Sequence, residues 1–163
     1  MALPRELALD TSQIEEIMAT EWNMRIATIG PASRINLTPM WFGWGGGRIY
    51  LYGRGQKVVN IRRNPACTVI VDRNVKFPEL QAVMLQGNAR VLETTADEAA
   101  DPHLAEVRVH MGRKYNGGHG QAPAADPPPN SATAGGRNRR WIVLEPTHMV
   151  TWDNFKLPAL RRG

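Results

Sequence analysis

The sequence has little cysteine and no long apolar run, and both shortages narrow the class of protein. Its one cysteine, Cys67, cannot form an internal disulfide, so we expect a reducing compartment and a core position for this side chain. No segment approaches the roughly 18 apolar residues that a membrane helix needs, and the first residues lack the apolar stretch of a secretory signal. We therefore expect a cytoplasmic protein without a membrane partner.

The motifs of several enzyme classes are also missing. The four histidines have no ligand spacing with cysteine or acidic residues, so we expect no metal site. There is no nucleophile elbow and no P-loop, and the glycines at 45–47 precede a strand instead of opening a helix. Because no nucleophile or acid–base pair is evident, we assign no catalytic residue. Any chemistry would have to come from a cofactor.

The length of 163 residues and the apolar share of 42% suit one domain over residues 1–163. Apolar alternation and turn residues predict six antiparallel strands, at 24–29, 34–44, 48–52, 67–72, 81–93 and 140–152. Helical spacing predicts helices at 12–20, 57–64 and 97–115. Many short strands with few inserted helices indicate a mainly β (α+β) fold, a small antiparallel barrel.

Individual residues refine this prediction. Ser12 and Glu15 have the spacing of a capping box at the first helix. Pro39 cannot donate to a strand ladder, so we expect a bulge or a sheet edge there, and Gly87 predicts a bend in the barrel wall. Pro102 should begin or split the third helix. Residues 117–138, with four prolines and five glycines, predict a disordered loop.

Positive charge is concentrated in one segment. Residues 48–76 contain seven basic side chains and a single acidic one, Asp72, so this segment alone carries a balance of +6. A compact basic block suits a small polyanionic ligand or a nucleic acid backbone. We expect a small molecule, and nucleic acid remains the last alternative.

Within this block, a Gly-X-Gly turn at 53–55 opens the short helix predicted at 57–64. Backbone N–H groups at a helix start face incoming anions, and glycine lets a ligand approach closely. Arg54 and Lys57 lie at the end of the helix dipole that disfavours cations, and a bound phosphate would reverse that sign. Asn60, one turn after Lys57, shares its face and could add a hydrogen bond. Solvated surface charges are the alternative.

Aromatic residues flank the turn at 45–47. Trp41, Phe42 and Trp44 come before it, and Tyr50 and Tyr52 come after it. Cross-strand aromatic pairs stabilise sheets without a ligand, so a core or interface role is one interpretation. Stacking on a flat heterocycle is the other.

Residues 22–93 resemble the pyridoxamine 5'-phosphate oxidase-like split-barrel superfamily. The most specific part is the run K-x-x-N-[IL]-R-R-[DN]-P, which begins here at Lys57 and ends at Pro65. The chain is most similar to the flavin/deazaflavin oxidoreductase B branch, whose members often use coenzyme F420. The resemblance implies a six-stranded FMN-binding split barrel with short flanking helices, a homodimer, and a cofactor in the groove between the two chains.

Carried over by position, the resemblance also implies a set of cofactor-binding residues. Arg54, Lys57 and Asn60 would bind the phosphate, Tyr50 and Tyr52 would line the wall, and Trp152 would close the site. The segment from Asn36 to Trp41 would run beside the ring, which adds the residues Thr38, Pro39, Met40 and Trp41. We do not expect the chain to oxidise pyridoxamine phosphate to pyridoxal phosphate, because its last strand lacks the basic substrate signature of the oxidases that do so.

The resemblance implies a function as well. We expect an F420-dependent oxidoreductase that transfers a hydride between the deazaflavin and a small electrophilic substrate, enone-like or quinone-like. The basic surplus fits a cofactor with both a phosphate and an anionic glutamate tail. FMN as the cofactor, and a non-catalytic flavin or deazaflavin carrier, are the alternatives.

Overall fold

The computed structural model describes residues 5–116 and 139–160, which form an antiparallel sheet of seven strands with flanking helices. The strands are β1 (Met24–Ile29), β2 (Ile35–Met40), β3 (Gly43–Gly45), β4 (Arg48–Gly53), β5 (Ala66–Arg73), β6 (Gln81–Leu92) and β7 (Arg140–Asp153). The helices are α1 (Thr11–Thr20), α2 (Gln56–Arg63), α3 (Thr95–Ala100), α4 (Leu104–Asn116) and α5 (Leu157–Leu160). None of the helices described here is long and apolar enough to cross a membrane.

The sheet is curled into a half-open barrel. Its strand order, β2-β1-β5-β6-β7-β4-β3, puts β2 and β3 at opposite edges, yet only Trp41 and Phe42 separate these strands along the chain. Because consecutive Cα atoms are about 3.8 Å apart, three peptide steps hold the two edges within about 11 Å of each other. The mainly β antiparallel barrel that the sequence predicts is therefore confirmed.

The predicted number of strands is wrong: the described residues contain seven strands, not six. The segment predicted as one strand, 34–44, divides into β2 and β3. Residues 41–42 are unpaired because the chain crosses there from β2, which pairs with β1, to β3, which pairs with β4. Met40, Trp41 and Phe42 at this crossing are consecutive apolar residues with no turn residue among them, so the sequence gives no sign of it.

Pro39 lies on an edge strand, as predicted. The N–H of Gly30 donates to the carbonyl of Arg34 at 2.7 Å, which sets the alternation of hydrogen-bonded pairs along β1 and β2. By that alternation Pro39, opposite Arg25, is in a pair without ladder hydrogen bonds, and its nitrogen faces the open edge. The missing N–H therefore costs the sheet nothing.

Two apolar layers lie on the two faces of the sheet. The barrel interior is filled from the strands and from Ile17, Met18, Val58 and Ile61 of α1 and α2. On the outer face of β4 and β7, a second layer packs beneath α4 and consists of Tyr50, Leu92, Leu104, Val107, Trp141 and Val143. Cys67 belongs to the first layer, as expected, and burial raises the pKa of its thiol to about 12.

The helix boundaries confirm one prediction and correct another. The cap of α1 is not built from Ser12 and Glu15: the capping box joins Asp10 and Gln13, because Asp10 precedes the helix and accepts the Gln13 N–H at 2.9 Å. The third predicted helix is split at Pro102, and the Asp101 carboxylate accepts the N–H of Leu104 at the start of α4. The predicted loop at 117–138 lies outside the described residues.

Gly87 marks the predicted irregularity in the barrel wall. The pairing of β6 with β7 shifts register between Gln86 and Gly87. A Cβ atom on Gly87 would lie 2.1 Å from the carbonyl oxygen of Glu145, so only glycine allows the two strands to approach this closely. The irregularity predicted at Gly87 is confirmed as a register shift.

Candidate functional site

A cavity of about 400 Å³ opens where β2 and β4 end and α2 begins, and we call it the edge cavity. Its lining comes from four separate parts of the chain, including the residue just before β7: Asn23, Pro39, Met40, Trp41, Tyr52, Gly53, Arg54, Lys57 and Arg139. Six of the nine predicted cofactor-binding residues line it, namely Pro39, Met40, Trp41, Tyr52, Arg54 and Lys57. The structure thus brings most of the predicted set together.

The start of α2 supplies the cationic wall. Gly55 is the N-cap residue with φ of 78°, a conformation that favours glycine, and no side chain of the described residues caps this helix end. The ammonium of Lys57 folds back and donates to the carbonyl of Arg54 at 3.0 Å. Burial, and then the charge of Arg54, lower the pKa of Lys57. An anion bound between Arg54 and Lys57 would stabilise the charged form of Lys57 and so offset both the cost of burial and the repulsion from Arg54.

Arg139 is a third cation at this cavity, and the sequence analysis missed it. Its guanidinium lies 5.9 Å from the centre of the Tyr52 ring. Tyr52 in turn packs at a tilt on Trp141, with 5.2 Å between ring centres. The basic run that precedes the last strand was the available signal, but only the pairing of β4 with β7 brings it beside Tyr52.

The basic residues of segment 48–76 fall into two groups. Arg62 makes a bidentate contact with Glu93 at 2.7 Å, and Arg73 reaches both Glu16 and Glu21 at 3.0 Å. Arg54 and Lys57, like Arg63 and Lys76, have no carboxylate oxygen within 4 Å among residues 5–116 and 139–160, and the same holds for Arg139 outside this segment. Of these residues, Arg54, Lys57 and Arg139 line the edge cavity, so they are placed to bind an anion there.

Trp41 gives the edge cavity an aromatic surface, and two further rings pack against Trp41. Trp41 is 53% exposed and stacks on Tyr115 of α4, with ring centres 4.4 Å apart and an angle of 4° between the planes. Trp22 meets both rings edge-on, at 6.4 and 5.6 Å. Tyr115 and Trp22 were not predicted as neighbours of the site, because these contacts join distant parts of the chain. One face of Trp41 is held by protein, and the residue remains half-exposed.

Four predicted residues lie outside the lining: Tyr50, Thr38, Trp152 and Asn60. Tyr50 is fully buried under α4, and its hydroxyl donates to Asp101 at 2.9 Å. Burial and this hydrogen bond raise the pKa of Tyr50 to about 12. Thr38 is half-buried, and its hydroxyl donates to Asn36 at 3.3 Å. Trp152, suggested as a closing residue, pairs with Ala82 in the barrel wall and is not part of the lining.

Asn60 has a structural environment. Its side chain is 0% exposed, and its amide nitrogen donates to the Thr28 hydroxyl at 3.0 Å. Its amide oxygen accepts from Gln56 at 2.7 Å. These bonds tie α2 to β1, so Asn60 holds the helix that carries Lys57 in place.

Solved structures share this fold. A conserved hypothetical protein from Mycobacterium tuberculosis (Rv2991) matches with a TM-score of 0.75 and 23% identity, over 97% of this chain and 93% of that chain. A FAD-binding protein from Mesorhizobium loti matches with a TM-score of 0.60 and 13% identity, over 88% and 94%. A protein described as an F420 reductase matches with a TM-score of 0.56 and 20% identity, over 83% and 94%. At these identities the likeness supports the fold alone.

No curated protein matches the chain in sequence. A family model described as pyridoxamine 5'-phosphate oxidase does match it, over residues 11–153. This range runs from the start of α1 to the end of β7 and includes both edges of the barrel. The resemblance noted in the sequence is thereby confirmed: the chain belongs to the pyridoxamine 5'-phosphate oxidase family.

Proposed function

We propose that the protein is an oxidoreductase that binds the phosphate end of a flavin-type cofactor in the edge cavity. The observation that carries this proposal is the convergence of Arg54, Lys57 and Arg139 on one cavity, with no carboxylate of the described residues near them. Like charges without counter-ions repel each other, and a phosphate dianion would turn that repulsion into charge-assisted hydrogen bonds. The uncapped start of α2 adds N–H groups for the same anion.

The remaining walls suit a flat ring system. Met40, the half-exposed Trp41 and Tyr52 offer apolar and aromatic surface beside the cationic end. Backbone groups of Leu37 and the carbonyl of Pro39 face the open edge of β2, where they can hydrogen-bond a heterocycle. Asn60 serves this site indirectly, by fixing α2 against β1.

Once bound, the cofactor would take up or release a hydride, and the chain would position and shield it. The described lining contains no carboxylate and no histidine, and we assign its residues to binding and orienting the cofactor. The substrate we propose is a small electrophile, enone-like or quinone-like. We assign no catalytic residue.

We propose F420 as the cofactor in preference to FMN. Three cations exceed what one phosphate requires, and Arg139 comes from the residue before β7, beside the Tyr52 ring, where it could bind a further anionic group. A structural neighbour is itself described as an F420 reductase. FMN, which has only the phosphate, is the second candidate.

We further propose that two chains form a homodimer through the outer face of β2, β1 and β5. Ile35 and Leu37 are 66% and 65% exposed there, and register places them beside Ile29 and Ala27. Exposed apolar patches of this kind are typical of interaction surfaces. The double substitution of Ile35 and Leu37 by lysine should therefore give a folded monomer in analytical ultracentrifugation.

A non-catalytic carrier is the other candidate function, and the lack of a carboxylate or histidine in the described lining favours it. One experiment separates the two. Purified protein is titrated with F420 and with FMN by fluorescence quenching, and the reduced form of the tighter ligand is then mixed with enones and quinones. Substrate-dependent oxidation of the bound cofactor supports the oxidoreductase, whereas tight binding without turnover supports the carrier. Binding of neither ligand would refute both.

A further inference from the structure

A second and larger cavity, about 880 Å³, lies between α1, the β3–β4 turn and α4, and we call it the helix cavity. It shares no lining residue with the edge cavity among the described residues. Met18, Trp22, Phe42 and Met111 give it apolar and aromatic walls, and the glycines of the 43–47 turn keep one side open. A cavity with such walls and a few polar groups is the common form of a small-molecule site.

Most charged groups at the helix cavity already have partners. Glu15 accepts a hydrogen bond from the indole nitrogen of Trp44 at 2.9 Å. Glu106 lies 3.8 Å from the Nε2 atom of His110, one turn later on α4. These contacts leave Arg113, at the exposed rim, and Lys114, which is half-buried.

Lys114 points inward, toward α1 and the 41–42 link. Its Nζ atom lies 3.8 Å from the centre of the Phe42 ring and donates to the carbonyl of Met18 at 3.3 Å. No carboxylate oxygen lies within 4 Å of this ammonium among residues 5–116 and 139–160. An ammonium has three donors, so it can still bind an anion in the cavity.

The position of Lys114 is not explained by helix capping. Lysine in the last turn of a helix commonly stabilises the carbonyl groups of its own helix. Here the Nζ atom instead contacts the carbonyl of Met18 on α1, where desolvation costs free energy. Burial lowers the pKa of Lys114 to about 8, against an opposing effect of Glu21. A ligand anion would offset that cost.

We propose that the helix cavity binds a small aromatic or apolar acid, whose anionic group pairs with Lys114 while its ring lies against Trp22 and Met111. This site is independent of the cofactor proposed for the edge cavity. Arg113 at the rim would steer acids toward the entrance.

The test uses two fluorescent probes with nearly the same ring system: anilinonaphthalene sulfonate, which is an anion, and phenylnaphthylamine, which is neutral. The wild-type chain should bind the anion at a site that depends on Lys114. Lys114→Met keeps the apolar stem but removes the charge, so it should weaken binding of the anion about tenfold or more and leave the neutral probe unaffected. Lys76→Met, at an exposed lysine that lines neither cavity, is the matched control and should leave binding of the anion unchanged.

A third variant tests the location. Ala19 is exposed on α1 and lines the cavity, so Ala19→Trp should fill the space and weaken both probes without disturbing the core. The proposal is overturned if the wild type binds no anionic probe, if Lys114→Met binds it as tightly as the wild type, or if Lys76→Met weakens its binding as much as Lys114→Met does.

Discussion

The edge cavity and the helix cavity use the same kind of group in two different ways. At the edge cavity, Lys57 stands with Arg54 and Arg139, and a neighbouring positive charge adds to the burial that lowers its pKa. At the helix cavity, Lys114 is surrounded by apolar side chains, and burial alone lowers its pKa to about 8. Several clustered cations match a ligand with multiple negative charges, whereas one desolvated cation matches a single acid group.

The largest effect is expected when two positive charges are removed from the edge cavity, which tests whether its clustered cations bind the cofactor. Replacing Arg54 by Gln and Lys57 by Met should weaken cofactor affinity about 100-fold or more, since each lost charge-assisted hydrogen bond costs roughly 1.5–3 kcal/mol. Fluorescence titration with F420 and with FMN measures it. Arg62→Gln is the control: this residue is paired with Glu93, so affinity should stay within about twofold of the wild type. Unchanged affinity in the double variant would end the cofactor assignment.

A second variant tests whether cofactor binding in the edge cavity depends on the attachment of α2 to β1 by Asn60. Asn60→Ala leaves the buried Thr28 hydroxyl and the Gln56 amide without their partner, so unfolding in urea should require about 1–3 kcal/mol less free energy. Because α2 then loses its attachment to β1, cofactor affinity should fall as well. Binding of the anionic probe at the helix cavity should not change. If Asn60→Ala loses affinity without losing stability, Asn60 contacts the cofactor directly.

The third prediction concerns pH and Lys114, the half-buried cation of the helix cavity. The pKa of Lys114 is lower in the folded chain, about 8, than its ordinary value of 10.5. Between these two values the unfolded chain binds more protons, so the free energy of unfolding should rise with pH through this window. Urea unfolding of the wild type and of Lys114→Met at pH 7 to 10 isolates this effect. The stability of the wild type relative to the variant should increase with pH, and a constant difference would contradict it.

The smallest expected effect distinguishes the two cofactors. Arg139 is exposed, so Arg139→Gln should weaken binding of F420 only about threefold, in the range of exposed charge pairs. FMN, which lacks a tail, should bind the variant as it binds the wild type. An equal loss for both ligands would mean that Arg139 contacts the phosphate instead.

The sequence predicted the barrel because its signals are local. Alternation of apolar residues marks each strand, and Pro65 ends α2 one residue after its C-cap. Gly87 lies where two strands approach too closely for a side chain, and Pro39 lies on an edge strand, where its missing N–H is not needed. The turn at 53–55 likewise predicts where Arg54 and Lys57 lie.

Long-range packing explains what the sequence could not give. Tyr50 and Tyr52 share one face of β4, but only the docking of α4 decides that Tyr50 is buried and Tyr52 is not. Asn60 and Lys57 share a face of α2, yet the short amide reaches β1 while the long lysine reaches the cavity. Lys114 was invisible as a site residue, since only packing of α4 beside α1 encloses it.

Pro39 has a further consequence for how these molecules behave at high concentration. A free strand edge is a template for sheet extension, by which identical chains can join into fibrils. At the rim of this barrel an incoming strand would meet an imide nitrogen that has no proton to share. The ladder would stop there, so the same residue that leaves a margin open to a small heterocycle also guards the chain against aggregation.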